Sequence, residues 1–388
     1  MNDAKRLFRR FLDADPERIH FAAHSHHFWP DVSFDAHARA WDDAARLADR
    51  KWEKVFGEVM PEAQRHVARV LGLSDPRTVA FAPNTHELVR RVLSCLPTGH
   101  TPRVLTTTSE FHSFSRQTAR LEEGGLLDVV RVPSEPFATL AARLAERAVE
   151  RFDLVFFSHV LFDASYVVDA ERVVRAVHDP HTLVVVDGYH AFMAVPVALG
   201  ALEKRVFYMA GGYKYAMSGE GCCFAHVPPG QALRPRDTGW FASFGTLSSA
   251  QEGVPYADGG ARFLGATFDP SGLYRFAAVM ALLEREGIDA AAARAHVRAL
   301  QERFVRGLAA RPGLPLSESQ LLLPMSEESR GQFLVFRTPR AQEFQRRLEE
   351  ANLITDARGD RLRFGFAVYH DEADVDRGLE RLARVLAV

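Results

Sequence analysis

Of 48 basic residues in this chain only Lys5, Lys51, Lys54, Lys204 and Lys214 are lysines, so arginine carries most of the surface charge. Four of the five stand in charged helical surroundings. Lys214 instead follows an apolar run, within Gly211-Gly212-Tyr213-Lys214-Tyr215. Glycines let a backbone approach a planar ligand, and a lysine amine in an apolar or cation-rich pocket has the lowered pKa that imine formation needs. A surface lysine in a glycine turn is the other reading. Upstream, Leu183-Val184-Val185-Val186-Asp187 is an apolar run that ends in a carboxylate. A charge buried there is costly unless a cation pairs with it, and a protonated pyridine nitrogen is such a cation. Taken alone, Asp187 also reads as a helix cap at a strand-to-loop junction. Pro83-Asn84-Thr85-His86-Glu87 follows a strand and opens a helix, where free N–H groups and the helix dipole favour an anion such as phosphate. Asn84 and Glu87 also read as a capping pair that satisfies those donors itself. An Asp-ended strand followed by an isolated lysine after the next strand is more specific than either feature alone.

The elements that must hold these groups alternate. From about residue 60 to 230, β-rich apolar runs are expected as strands at Thr78–Phe81, Arg103–Thr107, Leu127–Val132, Leu154–Ser158, Thr182–Val186, Val206–Met209 and Cys222–Ala225. Apolar residues at three and four spacing predict helices over 85–96, 114–123, 136–150 and 170–178. This pattern is that of a largely parallel sheet covered on both faces, with ligands at the carboxyl ends of its strands. A loop-rich stretch runs from 230 to about 270, a length that signals function or an interface. Helices over 272–286, 289–310, 340–351 and 371–387 and strands Gly331–Phe336 and Arg361–Phe366 form a smaller α+β unit.

The chain has 388 residues, with 48 basic residues against 50 acidic ones, so no global field would hold nucleic acid or an anionic membrane. Cys95, Cys222 and Cys223 are too few and badly spaced for a disulfide framework or a four-ligand zinc site, which fits a reducing, cytoplasmic setting. Leu7, Phe8, Phe11 and Leu12 at helical spacing among charges predict an N-terminal docking helix rather than a signal core. No apolar stretch reaches spanning length, so no membrane partner is expected.

In the order phosphate loop, aspartate, lysine, the chain resembles the class V aminotransferase superfamily of fold type I pyridoxal 5'-phosphate dependent enzymes, and within it the kynureninases. Asp187-Gly188-Tyr189-His190 and Tyr213-Lys214-Tyr215 carry the likeness most strongly. The resemblance implies a large domain with a mostly parallel, mixed seven-stranded sheet and a small C-terminal α+β domain. The expected division is an N-terminal segment over 1–45 packing on the small domain, a cofactor-binding domain over 46–270 and the small domain over 271–388. It also implies that Lys214 is the Schiff-base lysine, that Asp187 sits on the pyridine nitrogen, and that Tyr213 bonds the phosphate and is a candidate proton donor. Asn84 and Thr85 match the phosphate loop, and His190 corresponds to a histidine on the phosphate side. Glu110-Phe111-His112-Ser113-Phe114 matches the segment whose aromatic ring stacks on the cofactor, with Phe114 at the kynureninase spacing and Phe111 as the fallback.

Trp240 of Gly239-Trp240-Phe241 and Thr267 of the Arg262–Thr267 run resemble segments that reach a neighbouring subunit's site, implying a homodimer with shared sites. Arg363 matches the arginine that grips the substrate carboxylate, a task suited to a planar guanidinium; an exposed strand arginine is the alternative. The pattern departs at Ala23-His24-Ser25-His26-His27, where relatives carry Asn-Ser or Asn-Xaa-Xaa-Gly, and His24 and Ser25 are assigned to the substrate side. These histidines could hold a metal, but no acidic or cysteine partner adjoins them and ordinary hydrogen bonds are expected, with no metal. With no cysteine after Cys223, desulfurization through a late-loop cysteine is not expected. The implied activity is hydrolytic Cβ–Cγ cleavage of an amino acid. Amino transfer, another class V lyase reaction, and a silent cofactor-binding scaffold are the alternatives.

Overall fold

A computed structural model describes residues 4–246 and 253–387. The N-terminal part holds α1 (Arg9–Asp13), β1 (Ile19–His20), α2 (Val32–Leu47), α3 (Lys51–Lys54) and α4 (Met60–Leu71). Strand and helix then alternate through β2 (Val79–Ala82), α5 (Thr85–Leu93), β3 (Arg103–Thr107), α6 (His112–Glu123), β4 (Asp128–Val132) and α7 (Leu140–Ala148). The series continues with β5 (Leu154–Ser158), α8 (Ala170–Ala176), β6 (Leu183–Asp187), β7 (Phe207–Gly211) and β8 (Cys223–His226). The remainder is α9 (Ser271–Arg285), α10 (Ala290–Ala309), β9 (Phe333–Arg337), α11 (Ala341–Glu350), β10 (Leu353–Ile354), β11 (Asp356–Arg358), β12 (Arg361–Gly365) and α12 (Glu372–Leu386).

The large sheet has seven strands in the order β2-β8-β7-β6-β5-β3-β4. All its pairs are parallel except the two made by β8, which runs against β7 and β2. Every residue of β5 is buried, as continuous apolar runs between two helical layers should be. By contrast β4 at the edge exposes Asp128 and Arg131, charges that blunt an open strand. The mixed seven-stranded α/β fold is therefore the one expected.

A three-stranded antiparallel sheet, β11-β12-β9, forms the smaller unit with α10, α11 and α12. Its core gathers Val297, Phe304, Phe336, Phe364 and Leu382, and takes in Ile19 of β1 and Phe21 just after it. That strand pairs with β10, Ile19 opposite Leu353. The division of cores is not at 270: Leu273, Phe276, Met280 and Leu283 of α9 belong with the large sheet. The break falls early in α10, because α9 lies on α2 and α4 rather than on the small sheet. The N-terminal segment is likewise shared, β1 on the small unit and α2 on the large one.

Candidate active site

The carboxyl ends of five strands of the large sheet converge. Asp187 closes β6, Ser158 closes β5, Phe111 follows β3, Asn84 and Thr85 follow β2, and Lys214 follows β7. Their side chains line one cavity of about 180 Å³, together with Tyr189, His190, Tyr213 and Phe162. The glycines before the lysine are required by crowding. A Cβ on Gly211 would overlap the Tyr189 hydroxyl and the Cys223 sulfur, and one on Gly212 would overlap Ser218 Oγ. Asn84 is the cap of α5, its side chain accepting from Glu87 N at 3.0 Å. The first-turn amides at Thr85 and His86 have no acceptor inside the helix and sit at the cavity wall.

The electrostatics follow from lost water. Burial brings the Lys214 amine down to about 7, helped by the Arg363 charge and opposed by Asp187 and Asp356. Burial lifts Asp187 to about 6, against a bond from Tyr189 N at 2.9 Å and the attraction of Lys214. Tyr213 is pushed up to about 12 by burial, so its hydroxyl keeps its proton at neutral pH. Lys214 Nζ donates to the main-chain oxygen of His24 at 3.0 Å. Three rings, those of Phe111, Tyr189 and Tyr213, stand 5.1–5.9 Å from the same nitrogen.

Other expected residues lie elsewhere or arrive by an unexpected route. Phe114 is not at the cavity; it stacks on Phe156 with centroids 3.6 Å apart, inside the α6–sheet layer. Phe111 lines the cavity instead, because it precedes the helix in an extended conformation while Phe114 has entered the first turn. His24 meets the site through its carbonyl, its ring being fully buried and stacked on Phe333 at 4.5 Å. Ser25 is not part of the lining. Arg363 is buried rather than exposed and lies just behind the wall, donating to the Phe162 carbonyl and to Asp356. Trp240 and Thr267 bond each other at 3.2 Å, both exposed, away from this cavity. His26 is at the surface 3.8 Å from Glu220, and His27 Nδ1 bonds the Phe28 carbonyl at 2.8 Å. Among the described residues no cluster of His, Cys, Asp and Glu converges as metal ligands would, and no helix is long and apolar enough to cross a membrane.

Glu110 was not singled out by the sequence. It is buried between Thr107 Oγ1 at 2.5 Å and Ser158 Oγ at 2.6 Å, and burial pushes it up to about 7, with Asp187 adding to the rise. A glutamate three residues after a strand-end threonine was the available signal. Phe162 had none beyond being an aromatic residue after a strand end, and Tyr189 stood within the Asp187–His190 motif without a role of its own.

A family model described as aminotransferase class-V matches residues 43–377. The chain therefore belongs to the aminotransferase class-V family, whose cofactor is pyridoxal 5'-phosphate. Among curated proteins it is 28% identical over 214 residues to isopenicillin N epimerase of Streptomyces clavuligerus, covering 50% of this chain and 51% of that one. It is 29% identical over 241 residues to kynureninase of Deinococcus radiodurans, covering 60% and 57%. These matches thus span little more than half the length of either relative. Among solved structures, C-DES with glycine covalently linked to its PLP cofactor superposes with TM-score 0.83 at 19% identity, over 97% of this chain and 99% of that one. The apo cysteine desulfurase of Thermococcus onnurineus gives 0.83 at 18% over 100% and 98%. At that identity the likeness is one of fold.

The residues present fit the cofactor. A buried carboxylate, an amine of lowered pKa that donates to a main-chain oxygen, an aromatic ring and a helix N-terminus meet in one cavity. His190 on its wall has a buried Nδ1 with no hydrogen-bond partner among the described residues.

Proposed function

We propose that this chain holds pyridoxal 5'-phosphate on Lys214 and acts on an amino acid, with kynureninase-like hydrolytic Cβ–Cγ cleavage as the leading reaction. What supports this most is the enclosure of the Lys214 amine and the Asp187 carboxylate in one cavity beside the Phe111 ring and the N-terminus of α5. When bound, the cofactor supplies an electron sink for charge developing at the substrate's Cα. Asp187 pairs with the protonated ring nitrogen, which offsets the cost of burying the carboxylate. Asn84, Thr85 and the α5 amides receive the phosphate, with Tyr213 and His190 beside it. Phe111 takes the stacking position.

Lys214, near 7, holds a large neutral fraction at physiological pH and can accept the proton from Cα. Tyr213 keeps its proton and can donate it to the departing carbon. Arg363 receives the substrate carboxylate, while the main chain at His24, whose carbonyl accepts from Lys214, borders the site. Trp240 and Thr267 reach the cavity of a second copy, making a cytoplasmic homodimer with shared sites. The cofactor domain extends through α9 and the small domain begins early in α10, with the N-terminal segment up to about residue 45 shared between them.

The test is direct. Reconstituted protein should show a visible band of lysine-linked cofactor that Lys214→Ala abolishes, and should convert kynurenine to alanine plus an aromatic acid identified by mass. Keto-acid products would favour the second reading, amino transfer, and an epimerised amino acid a reaction at Cα like that named for the Streptomyces relative. A band with no turnover of any amino acid would leave a silent scaffold. No band in either protein would refute the assignment.

A further inference from the structure

Arg363 already has a carboxylate. The β11–β12 register sets Asp356 directly opposite Arg363, so both side chains rise on one face of the small sheet. Arg363 Nη2 donates to Asp356 Oδ2, and Nη1 donates to the Phe162 carbonyl. Nε is buried with no acceptor among the described residues. The pair is enclosed, at 2% and 9% exposure. A bidentate grip on a carboxylate uses two neighbouring nitrogens of the guanidinium. Every such pair in Arg363 includes one that is already donating.

We infer that Asp356 is a specificity-determining residue: it is a built-in competitor for Arg363, which releases its guanidinium only to a carboxylate that is also anchored elsewhere in the site. The inference rests on the reading of Arg363 as the carboxylate receptor. A simple carboxylic acid entering the site breaks one buried ion pair to make another, with no gain in charge pairing. An amino acid whose nitrogen is held on the cofactor in place of the Lys214 amine would present its carboxylate intramolecularly, at high effective concentration, and win the exchange. Asp356 has somewhere to go. Its Oδ1 lies 3.2 Å from Arg358 Nη1, a half-exposed guanidinium, and its Oδ2 lies 3.9 Å from His24 Nε2, which has no hydrogen-bond partner among the described residues. The displaced carboxylate therefore keeps a cation.

The experiment is calorimetric titration of the cofactor-loaded protein with propionate, which has no amine to react. Asp356→Asn should bind propionate on the order of tenfold more tightly than the parent, while melting at a lower temperature because Arg363 has lost its counter-charge. Adding Arg363→Gln to that variant should remove the gain. A merely structural role predicts the lower melting temperature without tighter binding. If Asp356→Asn does not fold, Asp356→Ser, which keeps a hydroxyl acceptor without the charge, gives the same readout. Propionate bound no more tightly by a folded Asp356 variant overturns the inference, as does a gain that survives Arg363→Gln. Failure of the cofactor assignment is read separately, as a missing visible band in the parent protein.

Discussion

Glu110, Asp187 and Lys214 titrate near neutrality because each has lost its water, and Glu110 gives the cleanest test of that cause. Its carboxyl is raised from 4.5 to about 7. Between those values the folded protein holds a proton that the unfolded chain has released, so this group's contribution to stability falls as pH rises through the window. Above about 7 the full penalty of a buried carboxylate is present. Glu110→Gln keeps the shape and removes the charge, and the two hydroxyls beside it can rotate to serve an amide. The variant should be more stable than the parent at pH 8 by roughly 1–3 kcal/mol, with the difference vanishing towards pH 4.5. Urea unfolding across that range measures it, and a variant less stable at pH 8 would count against desolvation as the cause. The same scale shows what spacing leaves hidden. Phe111 and Phe114 stand in one motif, and only the backbone turn between them decides which ring meets the cavity. Asp187 and Lys214 were legible because their neighbours in sequence are also their neighbours in space. Asp356 was not, because its partner is chosen by a strand register.

At the scale of elements, the large sheet was read from sequence to within a residue or two, since its strands are short, mostly apolar runs, several of them separated by helices of clear period. The α2 helix was illegible for an equally physical reason. It buries Ser33, Ala36, Ala40 and Asp43 while exposing Phe34 and Trp41, so its apolar pattern points the wrong way. Asp43 is tolerated inside because Tyr274 at 3.0 Å and Lys54 at 2.7 Å share its charge. The α5 helix is where an element and the site are tied together. Asn84 satisfies the Glu87 amide and so leaves the N-terminus ordered for an anion. Asn84→Ala should cost about 1 kcal/mol of stability and also weaken cofactor retention. A variant that loses stability but retains the cofactor as tightly as the parent on dialysis would restrict Asn84 to a structural cap.

The whole molecule is closed by its N-terminal segment, and the closure is lined with histidines. β1 adds to the small unit, the His24 carbonyl holds Lys214, and α2 lies on α9 of the large unit. Within this seam His20 Nδ1 bonds the Tyr369 hydroxyl at 2.9 Å, His370 Nδ1 accepts from Ala367 N at 3.0 Å, and His27 stands edge-on to Tyr369 at 5.0 Å. Burial lowers all three, His27 to about 4 and His370 to about 3, from an ordinary 6.5. Each is neutral when folded and takes up a proton in the unfolded chain below about 6.5. Their contribution to stability is therefore fully present above that pH and is lost as pH falls through 6.5 towards 4 and below. Thermal melting at pH 7.5, 5.5 and 4.5 should show a steep acid loss. His27→Phe keeps an aromatic ring against Tyr369 and removes one proton site. It should be no more stable than the parent at pH 7.5, since the bond to Phe28 is gone, yet regain roughly 1–3 kcal/mol relative to it by pH 4.5. Parallel melting curves for the two proteins across that range would mean that the seam does not govern the acid response.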